Sequence, residues 1–78
     1  MVNNRGDGEI MDIRMSVGFR IKDLRKKRNL SQEDLANLVG LDRTYINSVE
    51  NGRRNISIVN LEKISKGLGV KIGKIFDS

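Results

Sequence analysis

The feature that most constrains this 78-residue sequence is the three-residue connection, 40–42, between two short amphipathic segments. Ser31 before the first segment and Asp42 before the second have side chains that cap helix N-termini, and Gly40 and Gly52 are suited to end helices in the left-handed conformation. So short a connection does not let two helices lie comfortably antiparallel, and it imposes a large crossing angle. The sequence therefore predicts two helices packed steeply against each other.

The same helix punctuation recurs on both sides of this pair. We predict an all-α fold of five helices, at about 17–28, 32–39, 43–51, 58–66 and 71–76. The chain has no Pro, no Cys and no Trp, so Leu, Ile and Val at helical spacing must supply most of the core. Residues 1–15 lack sustained apolar periodicity and are predicted to be a flexible tail, with room for a little order near residues 10–15, which leaves 16–78 as one helix-turn-helix domain.

The positive charge of the chain is concentrated in the predicted domain. Lys and Arg number 15 and Asp and Glu number 10, which gives a net charge of +5 at pH 7. Residues 1–15 contain two basic and three acidic side chains, so residues 16–78 carry thirteen basic and seven acidic ones, a net charge of +6. This excess favours a polyanionic partner, and nucleic acid is the commonest inside a cell. The alternative is that the charge only keeps a small protein in solution.

Two absent residue types limit the chemistry open to this chain. Without His or Cys it lacks the usual general base, the commonest metal ligand and the thiolate nucleophile. We therefore expect no enzymatic activity, no metal or other cofactor and no small-molecule substrate. No apolar run approaches the roughly 18 residues that span a bilayer, and the N-terminus lacks the layout of a signal peptide. We expect a cytoplasmic protein without a membrane partner.

The third predicted helix carries a polar surface suited to reading DNA. At about 100° per residue, Ile46 and Val49 fall on one arc of this helix, and the side chains elsewhere on it are polar. Guanidinium, amide and hydroxyl groups recognise base edges in the major groove. The alternative is a solvated helix face that happens to be polar. Because these groups follow a helix-turn-helix corner, we predict that they contact bases: Arg43, Thr44, Asn47 and Ser48, with Tyr45 at the edge of the arc.

Side chains predicted to bind phosphate flank this helix, where they would set its register on DNA. Gln32 lies at the start of the preceding helix, where free N–H groups and the helix dipole favour an anion. The others follow the reading helix: Asn51, Arg53, Arg54 and Asn55. For Arg53 and Arg54, the alternative is a solvated basic loop.

Residues 18–76 resemble the XRE family, the helix-turn-helix regulators of the Cro and phage-repressor type. The matching residues are Ile21, Leu24, Arg25, Leu30, 31–36, Gly40, Ile46, 49–52 and 68–70. This resemblance implies a lambda-repressor-like domain that binds a palindromic operator in double-stranded DNA as a homodimer. It also implies an ion pair between Arg25 and Glu50, for which the alternative is two unrelated surface charges. It supports Arg43, Thr44 and Tyr45 as readers of bases and backbone.

Within that family, residues 41–46 followed by 53–57 resemble the controller proteins of restriction–modification systems. Those proteins are small dimeric regulators of their own gene and of the endonuclease gene. The resemblance therefore implies a transcriptional regulator. RNA polymerase would be a further partner if the protein activates transcription, and Glu33 or Asp34 could contact it. The alternative function is an antitoxin or another protein-interaction module of the same fold, which would need an apolar docking segment outside the helices.

The fifth predicted helix and the end of the fourth form the predicted dimer interface. A helix of about six residues cannot bury several large apolar side chains by itself, so we assign three of them to a partner copy: Ile72, Ile75 and Phe76. The alternative is that these side chains close the core of the monomer.

Overall fold

The computed structural model describes residues 12–76. Within this range the chain forms four α-helices, numbered in chain order, and a final 3-10 turn: α1 (Ile13–Lys27), α2 (Gln32–Val39), α3 (Arg43–Glu50), α4 (Ile58–Leu68) and the turn Ile72–Phe76. The predicted all-α class is confirmed, and the described residues contain no strand. The prediction of five helices is wrong, because the last element is a 3-10 turn.

The short last element follows from its length and composition. Its five residues include Gly73, a poor helix former, and the Lys74 N–H donates to the carbonyl of Lys71 at 2.9 Å, three residues back. Tight i to i+3 bonding of this kind is common where an element is too short to complete a second α-helical turn.

The first helix begins at Ile13, four residues before the predicted start at about 17. Asp12 occupies the N-cap, and its carboxylate accepts a hydrogen bond from the Arg14 backbone N–H at 2.8 Å. Residues 13–15, the part of the predicted tail for which the sequence leaves room for some order, are therefore helical. Apolar periodicity gives no sign of this extra turn, because its side chains face solvent. The rest of the predicted tail, residues 1–11, lies outside the described residues.

The other helix ends lie close to their predicted positions. Both α1 and α3 end one residue early, and α4 continues two residues past the predicted end, to Leu68. Arg28, just after α1, donates from Nη1 to the carbonyl of Leu68 at 2.7 Å. This bond supplies a partner for one of the carbonyl groups that a helix C-terminus leaves unpaired.

Helix α2 begins and ends as predicted, whereas the start of α3 departs from the prediction. Ser31 and Asp34 form a capping box at the start of α2, with bonds of 2.9 and 3.0 Å between each backbone N–H and the other side chain. Gly40 ends α2 in the left-handed conformation at φ 72°. Asp42 is the N-cap residue of α3, but its side chain makes no capping hydrogen bond, contrary to our expectation.

The core is formed by apolar side chains from every element. Helix α3 packs against both α1 and α2, α2 also packs against α4, and the 3-10 turn lies against α1 and α4. The buried apolar residues are Val17, Ile21, Leu24, Leu35, Ala36, Ile46, Val49, Leu61, Ile64, Leu68 and Ile75. Helix α3 is therefore held from two sides, which leaves its remaining side free.

Gly18 determines how closely α1 approaches α3. A Cβ at this position would overlap the carbonyl oxygen of Val49 and lie 2.9 Å from that of Glu50. Any side chain here would push α3 away from α1. The sequence alone does not point to Gly18, because an isolated glycine in a helical pattern gives no information about which backbone packs against it.

Candidate nucleic-acid interface

The outer side of α3 is polar and open, as its periodicity predicts. The buried residues of α3, on its inner side, are Ile46, Val49 and Glu50. Arg43 and Thr44 are exposed, and the other three predicted base readers are half-buried: Tyr45, Asn47 and Ser48. The five side chains lie on a helix whose inner side is fixed in the core. Their contact with bases stays a prediction.

A buried ion pair attaches the end of α3 to α1. Arg25 donates from Nε to Glu50 Oε2 at 2.7 Å and from Nη2 to Oε1 at 3.0 Å, a two-pronged contact. The side chains of Arg25 and Glu50 are 8% and 1% exposed. Arg25 also donates from Nη1 to the carbonyl of Leu30 at 2.7 Å. The two charges are thus neutralised and hydrogen-bonded together, which such a buried pair requires.

The side chain of Gln32 is turned toward α3. Its Nε2 donates to Glu50 Oε1 at 3.0 Å, and its Oε1 accepts from Asn47 Nδ2 at 3.2 Å. Asn51, another predicted phosphate ligand, donates from Nδ2 to the backbone carbonyl of Asn47 at 2.9 Å and to Asn47 Oδ1 at 3.2 Å. Gln32 and Asn51, predicted as phosphate ligands, are therefore joined to a predicted base reader. The phosphate role of Gln32 stays a prediction.

Tyr45 is held by two side chains from outside α3. Asn60 of α4 donates from Nδ2 to the Tyr45 hydroxyl at 3.1 Å, and the Arg54 guanidinium lies over the Tyr45 ring, 5.1 Å from its centroid. The sequence does not point to Asn60, because it lies 15 residues from Tyr45 on a different helix and the pair follows no spacing within one helix.

The other predicted phosphate ligands lie in the segment that follows α3. Arg53, Arg54 and Asn55 are all exposed. The Arg53 backbone N–H donates to the carbonyl of Ser48 at 3.0 Å, so the segment leaves the end of α3 through a hydrogen-bonded turn. This turn keeps the exposed basic side chains beside the C-terminal end of α3, where the sequence predicts a second grip on the DNA backbone.

The predicted dimer interface needs correction. Ile75 is only 1% exposed, and Ile72 is half-buried against the core, because the 3-10 turn packs against α1 and α4. Assigning Ile75 to a partner copy was therefore wrong, and the alternative of closing the monomer core holds for it. Phe76 is 53% exposed. Together with Ile13 and Ile58, which are 64% and 69% exposed, it lines a cavity of about 360 Å³.

Among residues 12–76 there is no group of three or more Asp and Glu side chains placed to hold a metal ion. In the same part of the chain, no helix is both long enough and apolar enough to cross a membrane.

Known proteins resemble this chain in both sequence and fold. The helix-turn-helix family model HTH_3 matches residues 21–75. The control protein C.MunI of Mycoplasma sp is 54% identical over 66 residues, which are 83% of this chain and 89% of that protein. The control protein C.BamHI of Bacillus amyloliquefaciens is 46% identical over 67 residues, 85% of this chain and 83% of that one.

Solved structures of controller proteins superimpose on this chain. The restriction–modification controller protein C.AhdI from Aeromonas hydrophila superimposes with a TM-score of 0.80 at 43% identity, covering 81% of this chain and 96% of that one. The wild-type controller protein C.Esp1396I gives a TM-score of 0.78 at 42% identity, covering 86% of this chain and 87% of that one. The resemblance inferred from the sequence is thereby confirmed, and this chain belongs to the XRE-type helix-turn-helix family, in which its relatives include control proteins of restriction–modification systems.

Proposed function

We propose that this protein is a sequence-specific DNA-binding transcriptional regulator, a controller of a restriction–modification system that binds a palindromic operator as a homodimer. The observation that carries the proposal is the arrangement of α3. Ile46, Val49 and Glu50 fix one side of α3 in the core, and its other side offers donors and acceptors to solvent. A helix held this way can enter a major groove without rearranging the fold.

The proposed division of roles follows the position of each side chain. Arg43 and Thr44, exposed at the start of α3, would contact base edges together with the amide of Asn47. Arg53 and Arg54, exposed after α3, would neutralise phosphates and set the register of the helix. The net charge of +5 supports this assignment, because it favours approach to a polyanion.

The homodimer would bring two α3 helices into successive major grooves, about 34 Å apart. For its interface we propose the apolar surface around Ile13, Ile58 and Phe76, in place of the buried Ile75. Three large apolar side chains that line one cavity and stay more than half exposed form a surface of the kind that protein–protein contacts cover. A second copy would cover them.

As a regulator of transcription the protein would act in the cytoplasm of its cell. RNA polymerase is a further proposed partner. For that contact we propose Glu33, whose side chain is exposed on α2.

Selection of bound sites from random duplex DNA tests the proposal directly. We expect enrichment of two inverted half-sites, separated by about one helical turn, and binding at least about 1,000-fold tighter than to random duplex at physiological salt. Equal affinity for selected and random duplexes, with no enriched half-site, would overturn it.

A further inference from the structure

We propose that Gln32 is a positioning residue for base recognition: anchored on the buried Glu50 carboxylate, its amide fixes the orientation in which Asn47 faces DNA. This inference rests on the proposed function. It goes beyond the phosphate role predicted for Gln32, because it assigns to α2 a part in sequence discrimination.

The anchor is the carboxylate of Glu50. It is 1% exposed and accepts three hydrogen bonds, two from Arg25 and one from Gln32 Nε2 at 3.0 Å. An ionised carboxylate can only accept. The Gln32 amide must therefore direct its NH₂ group to Glu50, since the opposite orientation would set its carbonyl oxygen against a negative charge.

The orientation of the Gln32 amide determines that of the Asn47 amide. With the NH₂ of Gln32 committed to Glu50, its Oε1 faces α3 and accepts from Asn47 Nδ2 at 3.2 Å. Asn47 Oδ1 must then point the other way, where Asn51 Nδ2 donates to it at 3.2 Å. Each amide in the series is thus held in one of its two orientations, and the order of donors and acceptors begins at the buried ion pair.

The orientation of Asn47 matters because an amide reads DNA with its two ends. A side-chain amide recognises adenine by accepting from N6 and donating to N7. Asn47 is half-buried on the outer side of α3, and its two contacts within the protein leave one N–H and further acceptor capacity on Oδ1. A flipped amide would exchange the donor and the acceptor and would no longer match the same base.

The two roles of Gln32 have different signatures. A phosphate ligand contributes to binding at every sequence, so the loss of its contact weakens binding to all sites alike. A positioning residue acts through Asn47, so its loss reduces discrimination only at the base pair that Asn47 contacts. The Asn47→Ala variant identifies that pair as the one where discrimination falls.

The test variant is Gln32→Met, which is similar in size but has no amide and leaves both Arg25 bonds to Glu50 in place. Asn37→Met, an exposed amide on the same helix, is the matched control. In the free protein, we expect Gln32→Met to shift the side-chain NH₂ resonances of Asn47 in a ¹H–¹⁵N spectrum, and Asn37→Met to leave them unchanged. Asn47→Ala should in turn shift those of Gln32, which tests the same link if Gln32→Met does not fold.

Binding to operator duplexes with single base-pair changes completes the experiment. We expect Gln32→Met to reduce discrimination at the Asn47 base pair roughly 5-fold or more, the range of a bidentate contact. Discrimination at the pair read by Arg43 should be preserved, and the double variant should discriminate no worse than Asn47→Ala.

Unshifted resonances of Asn47, or equal weakening at every sequence, would overturn the inference and return Gln32 to a phosphate role. Failure of the proposed function is distinguishable. In that case the unsubstituted protein itself would prefer no sequence, while the resonance shifts of the free protein would still report the link between the two amides.

Discussion

Arg25 and Glu50 are joined by two hydrogen bonds of 2.7 and 3.0 Å, and neither side chain is more than 8% exposed. The pair connects the last turn of α1 to the last residue of α3, so it ties the proposed reading helix to the domain. The Glu50 carboxylate also accepts a hydrogen bond from Gln32, which connects α2 to the same ion pair.

Removing one partner of this pair should destabilise the fold strongly. Glu50→Ala leaves the Arg25 guanidinium buried without its counter-charge, and we expect a loss of about 3–5 kcal/mol in the free energy of unfolding. Urea denaturation measures it. Glu62→Ala, which removes an exposed glutamate of α4, is the control and should change stability by no more than about 0.5 kcal/mol. Equal stability of the two variants would contradict the assignment.

The close approach of α1 to α3 should make Gly18 sensitive to a single methyl group. Gly18→Ala forces a Cβ against the carbonyls of Val49 and Glu50, and we expect it to cost about 1–3 kcal/mol, despite the better helix propensity of alanine. Gly73→Ala is the matched control, because a Cβ there meets no atom within 4 Å. Thermal unfolding of both variants distinguishes them, and a Gly18→Ala protein as stable as the unsubstituted one would show that α3 can shift freely.

The two classes of arginine should have separable effects on DNA binding. Arg43→Ala is expected to cost about 1–3 kcal/mol on the operator and to relax the preference at one base pair. Arg53→Ala should weaken binding to all sequences alike and reduce the slope of log K against log salt by about one unit. Fluorescence anisotropy on operator and random duplexes, over a range of salt concentrations, measures both quantities. Identical losses for the two variants on both duplexes would refute the division of roles.

The proposed dimer interface predicts different effects for two exposed apolar residues. Phe76→Asp should dissociate the proposed dimer, because it adds a charge to the apolar surface that we propose a second copy covers. Leu38→Asp changes an equally exposed apolar residue of α2 and should leave the dimer intact. Sedimentation velocity at micromolar concentration separates the two results. A dimer that survives Phe76→Asp would require another interface.

Ile75, one residue earlier, should behave as a core residue. Ile75→Ala is expected to reduce the free energy of unfolding by about 2–5 kcal/mol, because it leaves a cavity between α1 and α4. Chemical denaturation measures this loss, and a change near zero would return Ile75 to the surface.

The capping box at the start of α2 should contribute to the pH dependence of stability. The backbone N–H of Ser31, followed by its side chain, lowers the pKa of the Asp34 carboxyl below its ordinary value of 3.8. A carboxyl whose pKa is lower in the folded state stabilises the protein above its unfolded pKa, and this contribution disappears as pH falls through the folded value. Asp34→Ala should therefore show a weaker loss of stability than the unsubstituted protein when pH is lowered from 5 to 2.5. Parallel pH profiles of the two proteins would contradict this.

The sequence by itself determined the helix-turn-helix, because its signals are local. Ser31 and Asp34 cap the helix that they begin, Gly40 ends it three residues before α3, and the spacing of Ile46 and Val49 decides which side of α3 is buried. Each of these features depends on residues within one or two turns of each other, and such interactions can be read from spacing alone.

Tertiary structure decided the features that depend on what lies opposite a residue. Ile75 is buried because the 3-10 turn lies against α1 and α4, and Gly18 is required because the backbone of α3 approaches it. Gln32 faces Glu50, 18 residues away, where the sequence suggested only a free helix N-terminus. These contacts join residues from different helices, and side-chain spacing within one helix carries no information about the neighbour that packing will supply.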